Sequence, residues 1–132
     1  MSEFEEKFGS LSRLYGDRVL QGIRGSHVCV VGIGGVGSWA AEALARSGVG
    51  RLTLVDGDTI SASNMNRQIH ALDATLGQLK AEVMAQRIRQ INADCQVRVI
   101  DRYIDDDNLR DILQCQPGDE RYTAVIDAID SI

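Results

Sequence analysis

Between His27 and Val31 the chain is apolar at every position after the first, and the run ends at Gly32. That is the pattern of a strand buried on both faces of a parallel sheet. Beyond the glycines, Val36, Ala40, Ala43, Leu44 and Ser47 recur at the helical period, and Gly48 and Gly50 supply a stop signal. Arg51–Val55 is a second short apolar run, closed by Asp56-Gly57-Asp58. Strand, glycine turn, helix and strand follow in the order and at the spacing of a right-handed βαβ crossover.

The flanks extend this pattern. Residues 1–25 carry Phe4, Phe8, Leu11, Leu14, Val19, Leu20 and Ile23 at loosely helical spacing, broken by Gly9, Gly16 and Gly22, which predicts short helices. Ser61-Ala62-Ser63-Asn64 offers capping residues for a short helix over 65–70. A stronger helix is expected from 77 or 78 to 91, with Leu79, Val83, Ile88 and Ile91 on one side. Gln96–Ile100 reads as a third strand, 105–115 as a helix with three acidic residues at its positive end, and 122–126 as a fourth strand after the turn at Gln116-Pro117-Gly118.

The predicted fold is therefore α/β and Rossmann-like: a mostly parallel sheet with helices on both faces, truncated after about the fourth strand. It divides into an N-terminal helical segment, 1–25, and a nucleotide-binding unit, 26–132. The chain stops at Asp127-Ala128-Ile129-Asp130-Ser131-Ile132, where a doubly wound sheet normally continues, so it is expected to be the N-terminal part of a longer protein.

Composition narrows the class. The 132 residues, 44% hydrophobic and 25% charged with one proline, describe one soluble globular domain. A net charge of −5 excludes a pervasive basic surface but leaves room for a local basic groove. Cys29, Cys95 and Cys115 are odd in number and far apart, without a C-x-x-C pair, which predicts free thiols in a reducing compartment. Cys29 is expected in the core. No run of about eighteen apolar residues marks a membrane segment, and the acidic start is unlike a signal peptide, so the expected location is cytoplasmic.

The candidate chemistry begins at the glycines. Gly32, Gly34 and Gly37, between a strand and a helix, permit a tight turn, close approach to a phosphate and helix N-terminal amides aimed at its charge. Asp56, ending the second strand, stands where an acid meets a ribose hydroxyl. These features alone also suit a nicotinamide or flavin dinucleotide. The hydroxyl, amide and cationic residues that follow, Ser63, Asn64, Arg67, Gln68 and Lys80, are better matched to a nucleoside triphosphate. Neutralising the α-phosphate and the departing pyrophosphate suits a fixed Arg67 and Lys80 with Mg²⁺. The plainer roles are a helix cap for Arg67 and a solvated face for Lys80. His70 reads as a structural histidine, and Trp39 as packing or a dimer contact.

Taken together, G-I-G-G-V-G-S, L-V-D-G-D, S-N-M-N-R-Q, G-Q-L-K and D-A-I-D-S resemble the adenylation core of the E1-like (ubiquitin-activating type) family. That family includes the molybdopterin and thiamine biosynthesis adenylyltransferases. The stretches 37–48 and 66–72 are most similar to members that act on the N6-threonylcarbamoyladenosine of tRNA. The resemblance implies an ATP-dependent enzyme in which Gly32, Gly34, Gly35 and Gly37 hold phosphates and Asp56 holds the ribose. Ser63, Asn64, Arg67, Gln68 and Lys80 would line the site, and Asp130 would help hold Mg²⁺. It further implies a homodimer in which Arg13 reaches the partner's ATP. The substrate would be tRNA or, alternatively, the C-terminal glycine of a ubiquitin-like sulfur-carrier protein, with a cysteine-desulfurase-type protein as a possible further partner; the other alternative is an inactive nucleotide-binding fragment.

Overall fold

The computed structural model describes residues 2–114 and 121–130. Three short helices open the chain: α1 (Glu3–Phe8), α2 (Leu11–Tyr15) and α3 (Asp17–Arg24). Then follow β1 (His27–Val31), α4 (Gly37–Arg46), β2 (Arg51–Val55), α5 (Lys80–Ile91), β3 (Gln96–Ile100), α6 (Leu109–Leu113) and β4 (Ala124–Asp127).

The four strands form one parallel sheet in the order β3-β2-β1-β4. Its register places His27 opposite Arg51, Arg51 opposite Gln96, and Val28 opposite Ala124. The chain winds outward from β1 to β2 and β3, then returns to the other side of β1 as β4. The strand order thus reverses beside β1, the place where a parallel sheet of this kind has a crevice at the carboxyl ends of its strands.

Alternation along the central strands sends side chains to two cores. Val28, Val30, Leu52 and Leu54 pack with Ala41 and Ala45 of α4 and Ala81, Met84, Ala85 and Ile88 of α5. Cys29, Val31 and Val55 face the other way, toward Ile112 of α6. The alanines of α4 hold that helix close over the strands. Phe4, Phe8 and Leu20 form a separate cluster against Ile91, and the Arg24 guanidinium lies 4.0 Å above the Phe4 ring.

The elements from β1 through β2, and β3, fall where the sequence pattern puts them, and other boundaries move. No helix forms over 65–70. Ser61 and Asn64 cap each other reciprocally around a single 3₁₀ turn, Ala62–Asn64, and the chain continues in turns that carry Gln68 and His70 into the interior. Helix α5 starts at Lys80 because the preceding residues are held extended: Leu79 bridges Thr59, and Ile60 exchanges backbone hydrogen bonds with Gly77 and Gln78.

The acidic residues expected to open a helix at 105 form a turn instead. The Asp105 carboxylate accepts from the N–H groups of Asp107 and Asn108, and α6 begins only at Leu109. Strand β4 starts two residues later than expected, because Tyr122 and Thr123 are used as anchors. The Tyr122 hydroxyl donates to the Ile112 carbonyl, and the Thr123 hydroxyl accepts from the His27 N–H. Cys115 and the turn at 116–118 lie outside the described residues.

Candidate nucleotide-binding site

The turn after β1 is shaped by contacts that leave no room for side chains. A Cβ on Gly37 would sit 1.6 Å from the Gly32 carbonyl oxygen, and one on Gly32, where φ is +90°, would sit 2.8 Å from that of Ala128. The first turn of α4 is thereby pressed onto the ends of β1 and β4. Asp56 ties the turn to β2, because its Oδ2 accepts from the Ile33 N–H at 2.7 Å and its Oδ1 from the Asp58 N–H at 2.7 Å. Each carboxylate oxygen retains a second lone pair.

A cleft of about 660 Å³ lies over this turn. Its floor is Gly32, Gly34 and Gly35, with Asp56 on the β2 side and Ala128, Ile129 and Asp130 on the β4 side. Asn64, Arg67, Gln68 and Lys80 come in from the segment after β2 and the start of α5. Residues spread over nearly a hundred positions of sequence thus share one opening at the switch point of the sheet.

The two cations are held differently. Lys80 is buried at the first turn of α5, its Nζ 3.9 Å from Asp58 Oδ2. A buried ammonium with one distant counter-ion retains donors for an anionic ligand. Arg67 is exposed; its guanidinium donates to the Ser63 carbonyl at 3.0 Å and to Asn66 Oδ1 at 2.9 Å, while its stem lies against Gly35. The Trp39 indole N–H donates to the Arg67 carbonyl at 2.7 Å, joining α4 to that segment. Trp39 thus acts as a tether within the chain.

Of the candidate residues, Gly32, Gly34, Gly35, Asp56, Asn64, Arg67, Gln68, Lys80 and Asp130 line the cleft. Gly37 and Ser63 do not; one sets the approach of α4 and the other accepts from Arg67. Arg13 is exposed on α2 and is not part of the cleft wall. His70 is buried, with its Nε2 2.8 Å from the Ile33 carbonyl. Cys29 is fully buried, and burial pushes the Cys95 thiol up to about 11.

Sequence reasoning missed the third wall. Arg102, Tyr103 and Ile104, just after β3, face the cleft. The Tyr103 ring packs on Gly57 and its hydroxyl donates to Asp58, a bond that raises the phenol's pKa. The position directly after a third parallel strand was the available signal. Among the described residues no group of three or more His, Cys, Asp or Glu is arranged to hold a metal, and no helix is long and apolar enough to cross a membrane.

A family model for ThiF matches residues 9–132. The chain belongs to the ThiF family. Among ThiF relatives it is 53% identical over 129 residues to the tRNA threonylcarbamoyladenosine dehydratase of Escherichia coli K12, an alignment covering 98% of this chain and 46% of that protein. It superposes with a TM-score of 0.93 and 52% identity on the crystal structure of E. coli tRNA N6-threonylcarbamoyladenosine dehydratase in complex with ATP, covering 99% of this chain and 52% of that one. The corresponding AMP complex gives a TM-score of 0.92 at 53% identity, covering 99% of this chain and 52% of that one. A molybdopterin-synthase adenylyltransferase of Salmonella typhimurium is 35% identical over 85% of this chain and 43% of its own length. The chain spans about half the length of these ThiF relatives.

Proposed function

We propose that the cleft binds ATP and that the protein adenylates a carboxylate, that of the N6-threonylcarbamoyl group on a tRNA adenosine. One observation carries this reading: the glycine turn, Asp56, Arg67, Lys80 and Asp130 open onto a single cleft at the switch point of the sheet, in a chain 53% identical to a tRNA threonylcarbamoyladenosine dehydratase.

A free carboxylate is a poor electrophile because its oxygen leaves badly. Attack of a carboxylate oxygen on the α-phosphorus forms an acyl–phosphate bond and breaks the bond to pyrophosphate; the acyl carbon then carries AMP as a good leaving group. Displacement of AMP by a nucleophile within the same modified base closes a ring, with net loss of water. The chain's part is electrostatic. The turn amides and the first turn of α4 receive phosphate oxygens, and Arg67 and Lys80 offset the charge that builds on the α-phosphate and the leaving pyrophosphate. Asp56 accepts from the ribose hydroxyls. Asp130, a single carboxylate on the cleft rim, suits Mg²⁺ held mainly by nucleotide phosphates and water, and the ion would supply further charge neutralisation.

The protein is proposed to act in the cytoplasm as a homodimer, with Arg13 contributing to the partner's site; exposed Leu14 and Tyr15 beside it offer apolar surface for that contact. The similarity to a molybdopterin-synthase adenylyltransferase keeps a second substrate in view, the C-terminal glycine of a sulfur-carrier protein. Radioactive pyrophosphate exchange into ATP separates the two. With the full-length protein, exchange should require tRNA bearing threonylcarbamoyladenosine and fall about 100-fold in Arg67→Ala or Lys80→Ala. Exchange driven only by a carrier protein would reject the tRNA substrate.

A further inference from the structure

Two buried side-chain atoms among the described residues have no hydrogen-bond partner, Gln68 Oε1 and His70 Nδ1. Gln68 already lines the cleft, but His70 does not. It is 1% exposed and its polar contact is the bond from Nε2 to the Ile33 carbonyl. A carbonyl only accepts, so the imidazole carries its proton on Nε2 and leaves Nδ1 bare. Burial lowers the pKa of the ring and keeps it neutral, with Lys80 acting in the same direction and Asp56 and the Ile33 bond opposing.

Ile33 is held from both sides. Its N–H donates to Asp56 and its C=O accepts from His70. The Ile33 carbonyl shares a peptide plane with the Gly34 N–H, and in a trans peptide the two point in opposite directions. A carbonyl fixed toward the buried imidazole therefore turns the next amide away from the interior. Gly34 lines the cleft, and its N–H donates to no group among the described residues.

We propose that His70 is a positioning residue for the phosphate turn: by holding the Ile33 carbonyl inward, it presents the Gly34 N–H to a nucleotide phosphate. This rests on the ATP-binding reading above. His70→Leu fills the space without a donor, and His70→Gln restores one.

ATP and adenosine affinities of the chain, measured by calorimetry, separate positioning from packing. His70→Leu should weaken ATP about tenfold and leave adenosine unchanged, and His70→Gln should return ATP to within about threefold of wild type. Equal loss of both ligands, or loss of neither, overturns the proposal. A wild-type chain that binds no ATP overturns the nucleotide reading itself. Should His70→Leu fail to fold, nitrogen NMR of the wild-type chain decides: a protonated Nε2, a bare Nδ1 and a Gly34 amide shifted by ATP but not adenosine support the role, and any other tautomer or an unmoved Gly34 amide rejects it.

Discussion

Strands β1 and β4 are neighbours, and both deliver residues to the same cleft, but they are supported very differently. All five residues of β1 are buried; it pairs on both edges and has a core against each face. Among the described residues, strand β4 pairs on one edge, and three of its four residues are exposed, Val125 at 45%. The turn after β1 is accordingly fixed by close backbone contacts and by hydrogen bonds to Asp56 and His70. The segment after β4 is tied to β1 through the Ala128 N–H, which donates to the Val31 carbonyl, and beyond that it has a local turn, in which the Ile129 N–H donates to Asp127. The glycine turn is thus built into the core, whereas Asp130 follows the edge strand of the described sheet.

The sharpest way to break that contrast is Gly37→Ala. Its Cβ would collide with backbone rather than with a flexible side chain, so folding should lose about 3 kcal/mol or more, read from the urea midpoint. Val30→Ala, inside β1, should cost about 2–3 kcal/mol by the same measurement. Val125→Ala, on β4 opposite Cys29 and beside Ile126, the register partner of Val30, should cost under about 1 kcal/mol. Equal costs at Val30 and Val125 would erase the distinction between the strands.

Acid should reveal the smallest effect. The imidazole of His70 has a lower pKa in the folded chain than the usual value near 6.5, so the unfolded state takes up its proton first. The contribution is fully present above about pH 6.5 and is lost as pH falls through the folded-state value. His70→Gln should flatten this part of the stability curve, measured by urea unfolding between pH 7.5 and 5.

The same contrast explains what could be read from sequence. Strand β1, α4 and β2 were legible because a doubly buried strand is a continuous apolar run, and glycines between strand and helix have few other uses. That Asp56, Arg67 and Lys80 would meet at one cleft was legible by their position relative to those elements. The inward turn of Gln68 and His70 was not, because the reciprocal cap of Ser61 and Asn64 closes one 3₁₀ turn where the same residue types equally well begin a helix. The Tyr103 wall was signalled only by its position after β3, because its contacts are to Gly57 and to Asp58, 45 residues earlier at Asp58, and no local pattern encodes those.

Whether the β1–α4 turn receives nucleotide phosphates is tested most directly by titrating the isotope-labelled chain with ATP, observed by amide NMR. Saturable shifts are expected at Gly34 and Gly35 and at the cleft residues Asp56, Lys80 and Asp130, weakened in Lys80→Ala. Unmoved glycine amides, or shifts confined to the surface of α2 and α3, would contradict phosphate binding at the turn.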